Sequence, residues 1–379
     1  MEDLIIVGGG PAGLKLASIA GKQISTTVLE EHYEIGKPNK CTGLFSKPIF
    51  DIVSSKSVTN RVCGAIIKLG NLEFSIAKKE YVAYVVERSD FDKSLAFDAV
   101  TNNAKLELGA KVKEIVKTNK KTVVKYRKDG NIKELEGEII VGADGYNSIV
   151  RKYMNEKIPK FLSGVQLRVS SASIDNDYVK ILTGSNIAPG FFGWIVPEGE
   201  QRAKVGLATY KRYALPFLKK ILKDETLKNA KVLAIENGVI PIGTVKNMVL
   251  NNLMLIGDSA GFVKATSGGG VYMGLKSSIN AATAILNYFK DSSYTLTNFE
   301  KLNAKLVKEL KMDLKIHNIY ASLSDSELLA IFSILSKKEN IEIIEKYGDI
   351  DYPSKVAFAL LKHNLSLFKY SSKLLSIKS

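Results

Sequence analysis

Three textures of hydrophobic and polar positions follow one another along the chain. The first is a short unbroken aliphatic run that ends in glycine. Leu4-Ile5-Ile6-Val7 leads into Gly8-Gly9-Gly10-Pro11-Ala12-Gly13, and Leu253-Met254-Leu255-Ile256 leads into Gly257-Asp258. Such runs suit parallel strands buried on both faces. Lys15 to Gln23 continue the first run as a helix, and Thr26 to Leu29 form the next strand, ending at Glu30. After the second run, Gly268-Gly269-Gly270-Val271 opens a helix expected over Tyr272 to Phe289.

The second texture alternates apolar and polar residues, the sign of half-buried antiparallel strands. Ala65 to Leu69 and Tyr81 to Val86 show it, as do Gly109 to Val112, Thr122 to Arg127 and Glu138 to Val141, with a turn at Asp129-Gly130. From about residue 152 to 249 it recurs in Ser163 to Ile174, Val179 to Leu182, Phe191 to Val196 and Ala203 to Tyr210, interrupted by one helix, Leu215 to Leu222. A helix is expected from Ser46. Another, capped by Ser89 or Asp90, runs to about Ala104, with Arg88 just before it. The third texture, residues 291–379, is rich in Lys, Leu and Ile and nearly free of Gly. It reads as amphipathic helices over Thr297 to Leu323, Ser326 to Ser336 and Ser354 to Leu375. They would cover the body, or face a membrane or a partner.

The glycines carry the first candidate chemistry. In Gly8-x-Gly10-x-x-Gly13, Gly8 allows the tight turn, Gly10 the close approach of a pyrophosphate, and Gly13 the packing of helix on strand. The phosphates would rest on free N–H groups at a helix N-terminus. Glu30 stands about twenty residues downstream, where a ribose-binding acid belongs. An acid there favours a free ribose hydroxyl, hence FAD or NAD over NADP. The loop Glu34-Ile35-Gly36-Lys37-Pro38-Asn39-Lys40-Cys41-Thr42-Gly43 should lie beside the cofactor crevice. Cys41 in it is either a small buried hydrophobe or, beside Lys40, a reactive thiol. Gly142-Ala143-Asp144-Gly145 follows a strand and forms a second crevice-lining turn. Asp258, placed after an apolar strand, could hold a sugar or ribityl hydroxyl. The only tryptophan lies in Gly190-Phe191-Phe192-Gly193-Trp194-Ile195-Val196-Pro197, where aromatics serve either core or ligand.

Composition narrows the classes. A chain of 379 residues is too long for one ordinary core, and its 45% hydrophobic content can fill two. No apolar run reaches the roughly 18 residues of a membrane span, and the opening residues read as a strand, not a signal peptide. A cytoplasmic protein is expected, with peripheral contact at a membrane surface left open. Two cysteines make no disulfide framework, and three scattered histidines give no metal spacing. The net charge of +15 lacks the aromatic or helix-turn-helix pattern of nucleic-acid binding. Anionic lipid headgroups, a phosphorylated substrate and a merely Lys-rich surface fit it equally well.

Four elements in order, Gly8-x-Gly10-x-x-Gly13 with Glu30, Arg88, Gly142-Ala143-Asp144-Gly145, and Gly257-Asp258 with Gly268-Gly269-Gly270, resemble the FAD-dependent hydroxylase-type flavoproteins over residues 1–290. Within that class the chain is similar to the geranylgeranyl reductase family. Glu34 to Cys41 resembles the family segment that places a cysteine near the isoalloxazine. Phe192-x-Trp194-x-Val196-Pro197 with Gly206-x-Ala208 resembles its Tyr-x-Trp-x-Phe-Pro…Gly-x-Gly substrate motif, with Phe192, Val196 and Ala208 as departures.

The resemblance implies an α/β fold, a discontinuous FAD-binding Rossmann-like domain with an antiparallel-sheet substrate domain and a C-terminal helical segment. The FAD-binding parts would be 1–57, 87–151 and 251–290, the substrate parts 58–86 and 152–250, and the helical segment 291–379. It assigns the cofactor to Gly8, Gly10, Ala12, Gly13, Glu30, Cys41, Thr42, Arg88, Val112, Asp144, Asp258, Gly270 and Val271. Phe192, Trp194, Pro197 and Gly206 go to the substrate, in a long apolar tunnel, and Cys41 is the catalytic candidate. The implied activity is saturation of isoprenoid carbon–carbon double bonds by reduced FAD. Ferredoxin or a reduced nicotinamide would supply the electrons, since no second Gly-x-Gly-x-x-Gly unit is present. The same fold also hosts aromatic or quinone monooxygenases, and a non-catalytic flavin-bearing lipid binder or electron carrier is the third reading.

Overall fold

The computed structural model describes residues 1–117, 121–367 and 370. The aliphatic runs form the centre of a parallel sheet. Its strands lie in the order Lys105–Glu107, Thr26–Leu29, Glu2–Val7, Asn131–Gly142 and Leu253–Leu255, all parallel, with Val249–Leu250 antiparallel at the edge. Leu4, Ile5, Ile6, Ile139 and Ile140 are wholly buried, as an unbroken apolar strand covered on both faces requires. From Glu2–Val7 the chain first builds outward through Thr26–Leu29, then returns to build on the other side. Strand order therefore reverses between Glu2–Val7 and Asn131–Gly142, and their carboxyl ends are the place where ligands bind in such sheets.

Asn131–Gly142 is longer than its sequence pattern indicates. Its second half pairs with Glu2–Val7, while its first half pairs antiparallel with Thr122–Lys128, which pairs in turn with Lys111–Lys117. The helix Pro11–Ala20 packs against Val271–Lys290 and Arg88–Thr101.

The alternating segments form a second sheet of seven strands. Its order is Lys231–Ile242, Lys160–Ser170, Arg202–Thr209, Phe192–Gly199, Tyr178–Thr183, Gly64–Leu69, Leu72–Ala77. Every pairing is antiparallel except Tyr178–Thr183 with Gly64–Leu69, which is parallel. The helix Leu215–Ile221 buries Leu218 and Ile221 against Val165, Leu167, Val205 and Leu207. Leu44–Ser46, Ala83–Val86 and Val58–Val62 form a small third sheet between the two.

Several elements differ from expectation. Ser46 ends a strand, and the helix begins at Pro48, which suits a first helical position. Arg88 is the first residue of its helix, not its predecessor; neither Ser89 nor Asp90 caps it, and the Ser89 hydroxyl donates instead to Glu87. Lys231–Ile242 and the helix Lys338–Tyr347 have no counterpart in the sequence reading. The expected helix from Thr297 breaks at Asn303 into Asn298–Leu302 and Ala304–Ser322. The last described helix is Pro353–His363, and the expected continuation to Leu375 lies largely outside the described residues.

The C-terminal helices grip the body through buried polar contacts. Asp313 accepts from the Thr266 N–H at 3.1 Å and its hydroxyl at 2.5 Å. Tyr320 donates to the Phe191 carbonyl at 2.7 Å. Lys264, 3% exposed, meets the carboxylate of Asp351 at 2.8 Å, and the Ser46 hydroxyl donates to the same carboxylate at 2.5 Å. The Tyr210 hydroxyl and His317 Nε2 are hydrogen-bonded at 2.6 Å.

Burial, with a smaller contribution from Lys160, pushes the His317 imidazole from 6.5 down to about 4. An unfolded chain protonates near pH 6.5, so between these values the unfolded state holds more protons and stability falls as pH drops. The loss by pH 4 is about 3 kcal/mol. In urea titrations from pH 7 to 4, His317→Gln should flatten this part of the stability profile; an unchanged slope would show that another group is responsible.

Candidate active site

At the carboxyl ends of Glu2–Val7 and Asn131–Gly142 lies a cleft of about 750 Å³, within the range of small-molecule sites. Gly8 makes the turn out of the strand at φ +107°, and a Cβ on it would stand 2.4 Å from the Ala143 carbonyl oxygen. Gly13 lies behind the turn, where a Cβ would stand 2.1 Å from the Gly8 carbonyl oxygen. Gly10 is different: a Cβ there would meet nothing within 4 Å. The space it leaves belongs to the cleft. Gly10 also caps Pro11–Ala20, and Arg88 and Val271, first residues of two further helices, line the same cleft. Three helix N-termini thus converge on one space, a setting that favours a bound anion.

The acidic groups are distributed along this space. The Glu30 carboxylate accepts from the Gly9 N–H at 2.7 Å and the His32 N–H at 2.9 Å, with His32 Nδ1 2.6 Å away. Asp144 Oδ2 accepts from the Ile149 N–H at 2.7 Å, while its buried Oδ1 has no partner. Burial pushes the Asp144 carboxyl above its ordinary pKa. Asp258 faces the open cleft, and its carboxyl is also pushed up by desolvation, with Arg88 opposing. An orphaned carboxylate oxygen in a cleft wall is what a ligand hydroxyl satisfies.

Cys41 and Arg88 stand in the same wall. The guanidinium makes a two-pronged contact with Asp92, at 3.0 and 2.8 Å. Burial works against its charge, but Asp92 and then Cys41 outweigh it and hold Arg88 above its ordinary pKa. The Gly43 N–H donates to Cys41 Sγ at 3.3 Å. Fully buried Lys204 donates to the Thr42 carbonyl at 2.9 Å and lies 3.4 Å from Glu198. Glu198 is also held by Arg168 at 2.8 Å, and Arg168 reaches Glu87 at 2.9 Å.

The cleft brings together Gly8, Gly10, Ala12, Glu30, Cys41, Arg88, Val112, Asp144, Asp258, Gly270 and Val271. Gly13 supports the turn from behind. Thr42 does not line the cleft; its hydroxyl turns away to Gln166 at 2.8 Å. Phe192, Trp194, Pro197 and Gly206 are likewise absent from its wall. They lie on two neighbouring strands of the second sheet. The Phe192 and Trp194 rings pack in an apolar cluster with Ile240, which itself lines the cleft.

Sequence reasoning missed Asp92, although its spacing of four from Arg88 on a helix is a readable pairing signal. It also missed Gly238 to Pro241 of the cleft wall, together with Gln166 and Lys204. A lysine inside the apolar run Ala203 to Ala208 was the available clue.

Residues 3–319 match the family model described as lycopene cyclase protein, and the chain belongs to that family. It is 32% identical over 373 residues to an uncharacterized protein of Methanocaldococcus jannaschii, covering 95% of each chain. It is 29% identical to a digeranylgeranylglycerophospholipid reductase of Thermoplasma acidophilum, covering 93% of this chain and 97% of that one. Among solved structures, a geranylgeranyl bacteriochlorophyll reductase-like protein of Thermoplasma acidophilum superposes with a TM-score of 0.88 at 24% identity, over 98% of this chain and 99% of that one. This chain is a member of the geranylgeranyl reductase family. The flavin-dependent brominase Bmp2, in a triple-mutant form, shares the fold at a TM-score of 0.75 and 17% identity, covering 97% of this chain and 100% of that one. This geranylgeranyl reductase family protein is an oxidoreductase of a flavin-dependent class.

The two turn glycines should fail in different ways. Gly10→Ser keeps a good helix cap and collides with no protein atom, so its unfolding free energy from urea titration should stay within about 0.5 kcal/mol of the parent. Its flavin affinity should drop roughly tenfold or more, because the room for close approach is gone. Gly8→Ala should lose stability itself, by about 2 kcal/mol or more. Equal flavin retention in Gly10→Ser and the parent would refute the anion-binding reading of this turn.

Proposed function

We propose that this protein binds FAD in the cleft and saturates isoprenoid carbon–carbon double bonds of a geranylgeranyl-type lipid or prenyl diphosphate. The residues present fit the cofactor. The Gly8–Gly10 turn and the N-terminus of Pro11–Ala20 suit its pyrophosphate, and Glu30 suits the adenosine ribose. Val112, Asp258 and Asp144 line the same cleft, and we assign them to the adenine and to hydroxyls of the cofactor. When bound, FAD supplies the hydride in its reduced form.

One observation carries the substrate reading. Ile240 has the cleft on one side and the Phe192 and Trp194 cluster on the other. An isoprenoid tail beside Ile240 would pack against the apolar members of this cluster, and an isolated alkene needs such surface because it offers no carbonyl to be polarised. Such a reaction needs water excluded and the double bond held within about 3.5 Å of the reacting centre. Each saturated bond consumes two electrons and two protons, so one proton must come from the protein or from solvent. We assign that step to Cys41, which lines the cleft together with Arg88, as the group that supplies or orients the proton. Ferredoxin or a reduced nicotinamide returns the electrons, and the surface lysines meet the phosphate of the lipid at a membrane face.

The test is to reduce the flavin-loaded protein anaerobically with dithionite and add geranylgeranyl lipids. Products heavier by steps of two daltons are expected. Unchanged lipid on a protein whose flavin is bound and reducible would end the reductase reading, and oxygen consumption with a phenol or quinone would replace it with a monooxygenase. Cys41→Ala should retain flavin and slow turnover about 10²-fold, the lower range for a lost general acid; undiminished turnover would remove Cys41 from the chemistry.

A further inference from the structure

Four strands of the second sheet place one residue each in a single cross-strand row. Glu236 is paired with Gln166, Gln166 with Gly206, and Gly206 with Trp194. Side chains in such a row project from one face. Gly206 leaves a gap in the middle: a Cβ there would stand 2.7 Å from the Trp194 ring. The indole uses that gap to reach Gln166, donating from Nε1 to Oε1 at 3.0 Å. The Thr42 hydroxyl donates to the same oxygen at 2.8 Å. On its other side, Gln166 Nε2 donates to Glu236 Oε2 at 2.8 Å.

An amide oxygen has two lone pairs, and here both are filled. The amide cannot flip, because its NH₂ would then face two donors while its oxygen faced a carboxylate. Gln166 is 6% exposed, so water does not substitute for either partner. Thr42 adjoins Cys41 and Trp194 belongs to the aromatic cluster behind Ile240. One side-chain oxygen therefore joins the Cys41 segment to the strand of the aromatic cluster.

We propose that Gln166 is a positioning residue that ties the Trp194 indole to Thr42, so that the setting of the Cys41 segment depends on the setting of Trp194. Its relevance to turnover rests on the reductase reading above, but the tie itself does not. The hydrogen-bonded link from Trp194 to the Thr42 side chain passes through Gln166 Oε1, so this part of the effect of removing Trp194 on Cys41 requires Gln166.

The test uses the flavin-loaded full chain carrying Cys63→Ser, which leaves Cys41 as the sole thiol. Its alkylation by iodoacetamide is timed in Gln166→Leu, Trp194→Phe, Thr42→Val and the Gln166→Leu/Trp194→Phe pair. Each single change should raise the rate about fivefold, the scale of one lost hydrogen bond. The pair should be no faster than Gln166→Leu alone. Multiplying effects, or a parental rate in Gln166→Leu, would overturn the tie. Should Gln166→Leu fail to fold, Thr42→Val decides from the loop side: it should shift the emission of Trp194, the only tryptophan, and an unmoved spectrum counts against the proposal. With geranylgeranyl diphosphate as substrate, kcat should fall in Gln166→Leu with flavin affinity unchanged. A parent that alkylates as described but reduces nothing would leave the tie standing and remove the reductase reading.

Discussion

The approach of Gly8 to Ala143 is the constraint on which the rest of the molecule depends. Two neighbouring parallel strands end side by side, and the chain leaves them in opposite directions. Only a residue without a Cβ can pass that close to the Ala143 carbonyl. Because it does, the first turn of Pro11–Ala20 faces outward into the space between the strand ends. The helices beginning at Arg88 and Val271 open onto the same space, so partial positive charge from three directions meets the carboxylates of Glu30, Asp144 and Asp258 there. The result is a groove with carboxylates set among apolar residues, with Cys41 in its wall and an apolar cluster behind Ile240.

A second constraint holds the two large sheets in register with that groove. Charged groups rarely lie fully buried unless paired, yet Lys204, Glu198, Lys264 and Asp351 all do. Their contacts fall on segments that shape the groove. Lys204 binds the carbonyl of Thr42, next to Cys41. Lys264 accepts the Gly268 N–H on its carbonyl and anchors its ammonium on Asp351 from the C-terminal helices. Apolar packing alone would permit these loops to slide, since it has no direction. A buried ion pair with carbonyl partners does not permit it, because any shift leaves a charge unsatisfied. The C-terminal helices thus act on the groove from a distance, through Asp351 and, by way of Thr266, through Asp313.

Much of this is readable in the sequence. The parallel strands, the dinucleotide-type turn, Glu30, and the alternation of residues 160–209 all follow from local patterns, because period and glycine placement reflect interactions within a few residues. The pairing of Arg88 with Asp92 was equally local and was overlooked. Thr42 is instructive: its sequence position beside Cys41 says nothing about which way its hydroxyl turns, and an acceptor 124 positions later decides it. Gly206 shows the same limit, since the motif marks the residue while only the Trp194 ring across the strand explains it.

By itself the chain's sequence determined most of the elements, the position of the glycine turn after the first strand, and the family to which the protein belongs. These rest on short-range regularities that survive without knowledge of partners. The tertiary structure alone decided which side chains meet: Gln166 between Thr42 and Trp194, Lys204 beneath the Cys41 segment, Asp351 under the glycine loop, Ile240 between groove and aromatic cluster. Those meetings depend on strand order and register across the sheets. A polar residue carries no local mark of the distant group that will satisfy it.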